Sequence, residues 1–285
     1  MLILSFLFPF FSYSQSENSL LWKITEPKSG EVSYLFGTIH SNDSTLNTFD
    51  KTWWKCFNAC ETFAGEVNMT NMEELMSSIS TSIMKDASLE DFYSEVEFIR
   101  VRTFILERFD PITAMMVTRM KPFYIMATIM ELPSSEGPYT EIMDMRLQTV
   151  ATEKGMTVIG LETVEEQAAS IDVISLEQQA KLLLEYVDHG YEINVELATM
   201  EKFYLNQNLD SLAAMEIQAE VPEVLMESIL EGRNIRFAEK LIPFLVDGSV
   251  FCGVGALHLP GNSGLIAQLR KRGFVVAPVS FRFGN

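Results

Sequence analysis

Two of the three histidines in this 285-residue sequence occupy the same place in the same local pattern. Tyr34-Leu35-Phe36-Gly37-Thr38-Ile39-His40 and Cys252-Gly253-Val254-Gly255-Ala256-Leu257-His258 are both apolar runs ending in Gly, two small or apolar residues and His. They lie 218 residues apart, so they belong to different elements. A Gly at the end of a strand lets the backbone turn sharply or approach a ligand closely. The carboxyl ends of strands are where α/β sheets build their sites. Two imidazoles delivered there, with one carboxylate from a neighbouring strand, would hold a divalent ion and leave it an open position. Glu66 and Glu162 each end a strand candidate and are the carboxylates to expect. His189, in Val187-Asp188-His189-Gly190, sits in a polar helical stretch without the motif and reads as a surface residue.

The elements that must position these groups follow from periodicity and turn chemistry. Leu20 to Thr25 and Val32 to Phe36 alternate as a hairpin around Pro27-Lys28-Ser29-Gly30. After a polar loop from Ser41 to Thr48, Asp50 to Cys60 has helical spacing, with Trp53, Trp54 and Phe57 on or near its apolar side. Thr62 to Val67 is a short strand. Asn71 to about Leu132 is helical and Met-rich, and Pro133 to Pro138 is a loop. A helix from Glu141 to Lys154 leads to a strand at Met156 to Leu161, and helices resume from Val164 to about Leu245. The chain then returns to strand, loop, helix and strand: Ser249 to Val254, Gly261 to Gly264, Leu265 to Arg272 and Phe274 to Val279. Strands at both ends with helices between them predict an α/β fold, a central mixed sheet built from N- and C-terminal segments with a large helical insertion. Residues 20–285 read as one domain, with the insertion at about 71–150 and 164–245.

Composition narrows the partners. Lys and Arg total 21 against 39 Asp and Glu, a formal charge of −18, which repels nucleic-acid phosphates and anionic lipid. Leu2 to Phe11 is an almost continuous apolar run followed by Ser12-Tyr13-Ser14, the pattern of a signal peptide cleaved after Ser14. That run is too short for a transmembrane helix, which needs about 20 residues; the expectation is export to the periplasm or beyond, with no membrane span. Cys56, Cys60 and Cys252 read as three small buried hydrophobes, because a helical i,i+4 pair rarely reaches disulfide geometry.

The motifs together resemble the TraB/PrgY/GumN family. Leu21-Trp22-Lys23-Ile24, the first Gly-x-x-His run and Gly65-Glu66-Val67 are similar to its front. Gly160-Leu161-Glu162-Thr163 with Glu166-Gln167 is similar to its middle motif, and Arg233-Asn234 to a pair before its late helix. The second Gly-x-x-His run, Gly264-Leu265 and Leu269 to Phe274 are similar to its ending. That family is similar to the animal Tiki proteins, metal-dependent proteases acting on Wnt, and more distantly to erythromycin esterases and a haem-binding lipoprotein of the ChaN type. The resemblance implies a divalent ion (manganese, cobalt or zinc) held by His40, His258 and Glu66. Glu66 is then ligand or general base; if it ligates the ion, Glu162, which matches a family glutamate of unassigned role, becomes the better candidate for base. The function expected is an extracytoplasmic metal-dependent hydrolase, a Tiki-like peptidase acting on a peptide or small molecule. Two alternatives stand beside it: a protein that sequesters a peptide or haem without turnover, and a metal-free, esterase-like hydrolase with His40 as base oriented by Glu66.

Overall fold

A computed structural model of the chain describes residues 18–40, 46, 48–130, 142–218 and 222–284. The expected signal segment and the Pro133–Pro138 loop lie outside these residues.

The described residues form an α/β structure around a six-stranded mixed sheet. Its strands are β1 (Leu21–Thr25), β2 (Val32–Thr38), β3 (Thr62–Gly65), β4 (Thr157–Gly160), β5 (Val250–Gly255) and β6 (Val275–Pro278). They lie in the order β4-β3-β5-β2-β1-β6. The first four are mutually parallel, and β1 runs antiparallel to both β2 and β6. The N- and C-terminal segments thus share one sheet, as the clustering of strand signals at the two ends predicts. β5 is buried at all but its last residue, which suits a strand paired on both sides. The β1–β2 turn closes on Gly30, whose φ of 77° favours glycine, and the Glu26 carboxylate accepts the N–H groups of Lys28 and Ser29.

Helix α1 (Lys51–Phe57) starts at Asp50, whose side chain accepts the Trp53 N–H. It delivers Trp53 and Phe57 into an aromatic core with Phe36, Phe49 and Phe251, where Trp53 stacks on Phe49 at 4.0 Å and on Phe57 at 5.2 Å. Burying each such side chain contributes about 1.5–3 kcal/mol, so this cluster anchors the sheet from which the site projects. Further helices include α2 (Met72–Ser82), α3 (Met143–Glu153), α4 (Val164–Ile171), α5 (Arg233–Asp247) and α6 (Leu265–Lys271), of which α3 and α5 carry site residues. The helical insertion has its own smaller core, with Val101, Ile105, Ile125 and Leu183 fully buried. It leaves Met72, Met76 and Ile79 of α2 exposed on one face. Among the described residues, no helix is long and apolar enough to cross a membrane. The three cysteines are unpaired and buried.

Candidate active site

The sheet order sets the site. Glu162 follows β4, Glu66 follows β3, His258 lies just past β5 and His40 just past β2, so four adjacent parallel strands present these groups at their carboxyl ends. Backbone pairing continues past the strands: Leu161 N–H donates to Gly65 O and Glu162 N–H to Glu66 O, both at 2.9 Å, which sets the two glutamates side by side. The two motif glycines do different jobs. A Cβ on Gly37 would stand 3.0 Å from Ala256 Cα and 3.1 Å from its Cβ, so the first motif stays bare where the second crosses it. A Cβ on Gly255 would stand 3.3 Å from Glu66 Oε1, the same oxygen that accepts the Gly255 N–H at 2.7 Å.

Arg233 ties three of the strand ends together. It opens α5 directly after a π-helical turn, Glu227–Gly232, a geometry that recurs at functional sites. A guanidinium has five N–H donors, and here they meet acceptors on every side. Nε donates to Glu162 Oε1 at 2.9 Å, and Nη2 donates to Glu162 Oε1 and to Glu66 Oε2, both at 2.5 Å. Nη1 reaches Ile229 O and His258 Nε2, both at 3.2 Å. Because Arg233 can only donate, His258 Nε2 must accept. The ring's proton then sits on Nδ1, which donates to Asn234 Oδ1 at 2.8 Å. Arg233 and Asn234, adjacent in sequence, thereby fix one tautomer of His258.

The electrostatics follow from burial and these contacts. Burial alone would raise the Glu66 carboxyl, but Arg233, His258, the Gly255 N–H and His40 together outweigh it and bring its pKa to about 2. Burial raises Glu162, with Arg233 pulling the other way. Burial brings His258 down to about 4, Glu66 offsetting only part of the effect. At neutral pH, Glu66 is therefore a carboxylate and His258 a neutral imidazole.

A second group sits on the β2 side. Asp144, in the first turn of α3, accepts the Thr38 hydroxyl on Oδ1 at 2.7 Å. Its Oδ2 is buried without a hydrogen-bond donor, and His40 Nε2 lies 3.5 Å from it. Burial raises the Asp144 carboxyl, His40 opposing and nearby Glu66 adding to the rise. The His40 side chain is 53% exposed, so it lies on the solvent side, while His258 is buried. The Gly37 carbonyl of the same motif accepts a 2.7 Å bond from Tyr204, a wholly buried side chain.

The sequence profile of the TraB/PrgY/gumN family matches residues 20–278. The chain belongs to that family. No curated protein and no solved structure shows a significant match.

In this TraB/PrgY/gumN chain, Glu66, Glu162 and His258 meet directly through Arg233, with His258 Nε2 also 3.7 Å from Glu66 Oε1. His40 pairs with Asp144 instead and is linked to them by its charge effect on Glu66. Among the described residues, no three His, Cys, Asp or Glu side chains already stand gathered as an ion's ligands. The donor chemistry nonetheless fits a divalent ion: two imidazoles and an ionised carboxylate at the ends of neighbouring strands, with Asp144 Oδ2 buried beside the His40 ring to orient it. Glu162 is 2% exposed, with Oε1 and Oε2 both on the Arg233 guanidinium.

Asp144 and the role of Arg233 escape the sequence reading. An Asp in the first turn of a helix is commonplace, since it complements the helix dipole. The signal for Arg233 was present as charge bookkeeping. Two glutamates at the ends of apolar strands require a cation, and Arg233-Asn234 was the conspicuous basic–polar pair ahead of a helix.

Proposed function

We propose that this TraB/PrgY/gumN chain is a metal-dependent hydrolase of the peptidase type, working outside the cytoplasm. What supports the reading is that both motif histidines and an ionised, buried glutamate follow the carboxyl ends of adjacent parallel strands, with His258 Nε2 3.7 Å from Glu66 Oε1. His40, His258 and Glu66 would hold the ion. When bound, it would make a water molecule acidic enough to attack at neutral pH and polarise the scissile carbonyl.

The remaining roles belong to the chain's own residues. Asn234 keeps the His258 proton on Nδ1, so the Nε2 lone pair is the one on offer. That lone pair accepts from Arg233 Nη1, so it would be the His258 atom available to hold an ion. Glu66, held to about 2, suits a ligand and is too acidic to be an effective base at pH 7. Glu162, enclosed behind Arg233, holds the guanidinium in place. His40, at the solvent side, is the first site group an incoming substrate meets.

A metal-free hydrolysis has one observation in its favour. His40 stands beside a buried carboxylate, the arrangement that orients a histidine base, although that carboxylate is Asp144 and not the Glu66 expected.

The test is elemental analysis of protein purified without added metal, followed by hydrolysis of a peptide library and an ester panel with and without chelator. Bound ion near one per chain, with chelator-sensitive cleavage of peptides lost in His40→Ala and His258→Ala, supports the first reading. Chelator-insensitive turnover lost only in His40→Ala replaces it with the second. Saturable peptide binding without cleavage under either condition rejects both in favour of a sequestering protein.

A further inference from the structure

We infer that Asp144 is the positioning residue of His40, fixing its ring with Nε2–H toward Asp144 Oδ2 and Nδ1 toward the ion. The inference rests on the metal-dependent reading above. Its ground is geometric. Asp144 is pinned on one side only: Oδ1 accepts the hydroxyl of Thr38, itself 1% exposed, the last residue of β2 and two residues before His40. The opposite oxygen is buried, has no hydrogen-bond donor, and faces a ring nitrogen at 3.5 Å. A small rotation of a half-exposed imidazole closes that gap to hydrogen-bond length, and such rotations cost little for an sp3–sp2 torsion. A buried carboxylate oxygen gains more from that contact than an exposed one would, because burial has already removed its water.

The arrangement is that of a ligand histidine whose second nitrogen donates to a carboxylate, which sets ring orientation and makes the ligand nitrogen more basic. His258 is treated the same way by a different group. Its Nδ1–H is taken by Asn234 Oδ1, which presents Nε2. The two histidines would then face one ion through opposite ring nitrogens, His40 through Nδ1 and His258 through Nε2. The first motif receives a charged orienting partner and the second a neutral one, as suits an exposed and a buried imidazole respectively.

The test uses the full chain and two variants, Asp144→Asn and Thr38→Val, with Mn2+ and Zn2+ titrated separately by calorimetry. Asp144→Asn should weaken binding by roughly 10–100-fold, the usual effect of losing an outer-sphere partner. Thr38→Val changes no charge. It should weaken binding in the same direction by a smaller factor and add nothing when combined with Asp144→Asn. Melting of the ion-free variants checks folding, and if Asp144→Asn fails to fold, Thr38→Val carries the test. A structure of the loaded protein should show Asp144 on His40 Nε2 and outside the ion's own ligands. Unchanged affinity in both variants, or an Asp144 oxygen bound directly to the ion, overturns the inference while leaving the metal-dependent reading intact. A parent protein that takes up neither ion overturns both.

Discussion

Replacing Arg233 by Met tests the logic of the strand-end cluster. The two side chains are similar in length, so the aliphatic packing against Phe237, now 5.0 Å beneath the guanidinium, is largely kept. What is lost is the cation between Glu66 and Glu162. Breaking a buried pair by removing one partner costs about 3–5 kcal/mol, because a charge is left buried without compensation. Glu162 is the more exposed to this penalty, since its remaining cation, Arg236, is 3.7 Å away. At roughly 2–4 °C per kcal/mol for a chain of this size, the melting temperature at pH 7.5 should fall by about 6–20 °C.

The pH dependence supplies the sharper test. In the parent protein the Glu66 carboxyl, at about 2, lies below its unfolded value of 4.5. Its stabilisation is therefore present above pH 4.5 and lost as pH falls through about 2. Without Arg233, burial dominates and both glutamates should titrate above their unfolded values. Their cost is then greatest when they are charged at neutral pH and shrinks as they take up protons. The gap in melting temperature between parent and Arg233→Met should accordingly narrow as pH falls from 7.5 toward 5. Differential scanning calorimetry across that range decides it: a gap under about 2 °C, or one that does not change with pH, would refute the cluster as described.

Other outcomes follow from single contacts. Asn234→Leu leaves the His258 Nδ1–H buried without an acceptor, which should cost about 1–3 kcal/mol by denaturant titration. The 15N shifts of the His258 ring should also report a loss of the single tautomer. Gly264→Ala sets a Cβ 1.9 Å from the Pro260 carbonyl oxygen, so the loop before α6 must rebuild and expression as folded protein should drop sharply. Gly37→Ala meets the Ala256 backbone at 3.0 Å and should destabilise by about 1–3 kcal/mol, the range for overpacking a filled site. Adding a thiol reductant should leave the melting temperature unchanged, since Cys56, Cys60 and Cys252 are unpaired.

Much of the sheet was legible because its strands carry the two strongest local signals, apolar runs and glycine-bounded turns. β2 and β5 run two residues and one residue further than Phe36 and Val254, into the motif glycines, because the parallel pairing of Gly37 with Val254 and Thr38 with Gly255 continues there. β3 stops at Gly65 rather than Val67, and although the Glu66 carbonyl still accepts the Glu162 N–H, the Glu66 side chain reaches Arg233. The motif residues were legible for a related reason: a pattern repeated at distant positions needs no knowledge of contacts. Arg233 and Asp144 were not, since their meaning lies wholly in tertiary neighbours. Arg233 answers charges 71 and 167 residues away, and no local periodicity encodes that.

The strand order also governs when the site can come into being. β2 lies between β5 and β1, so the strand that leads into His40 has its inner neighbour only once residues 250–255 exist. Glu66 waits for the same segment to supply the Gly255 N–H, and for Arg233 to arrive on α5. During synthesis, then, the first motif precedes the second by 218 residues. Contacts of such long sequence separation form late and slowly. A chain ending before residue 250 would carry His40 without the strand that pairs with β2, so the strand-end cluster is assembled in a single step with the closing of the sheet.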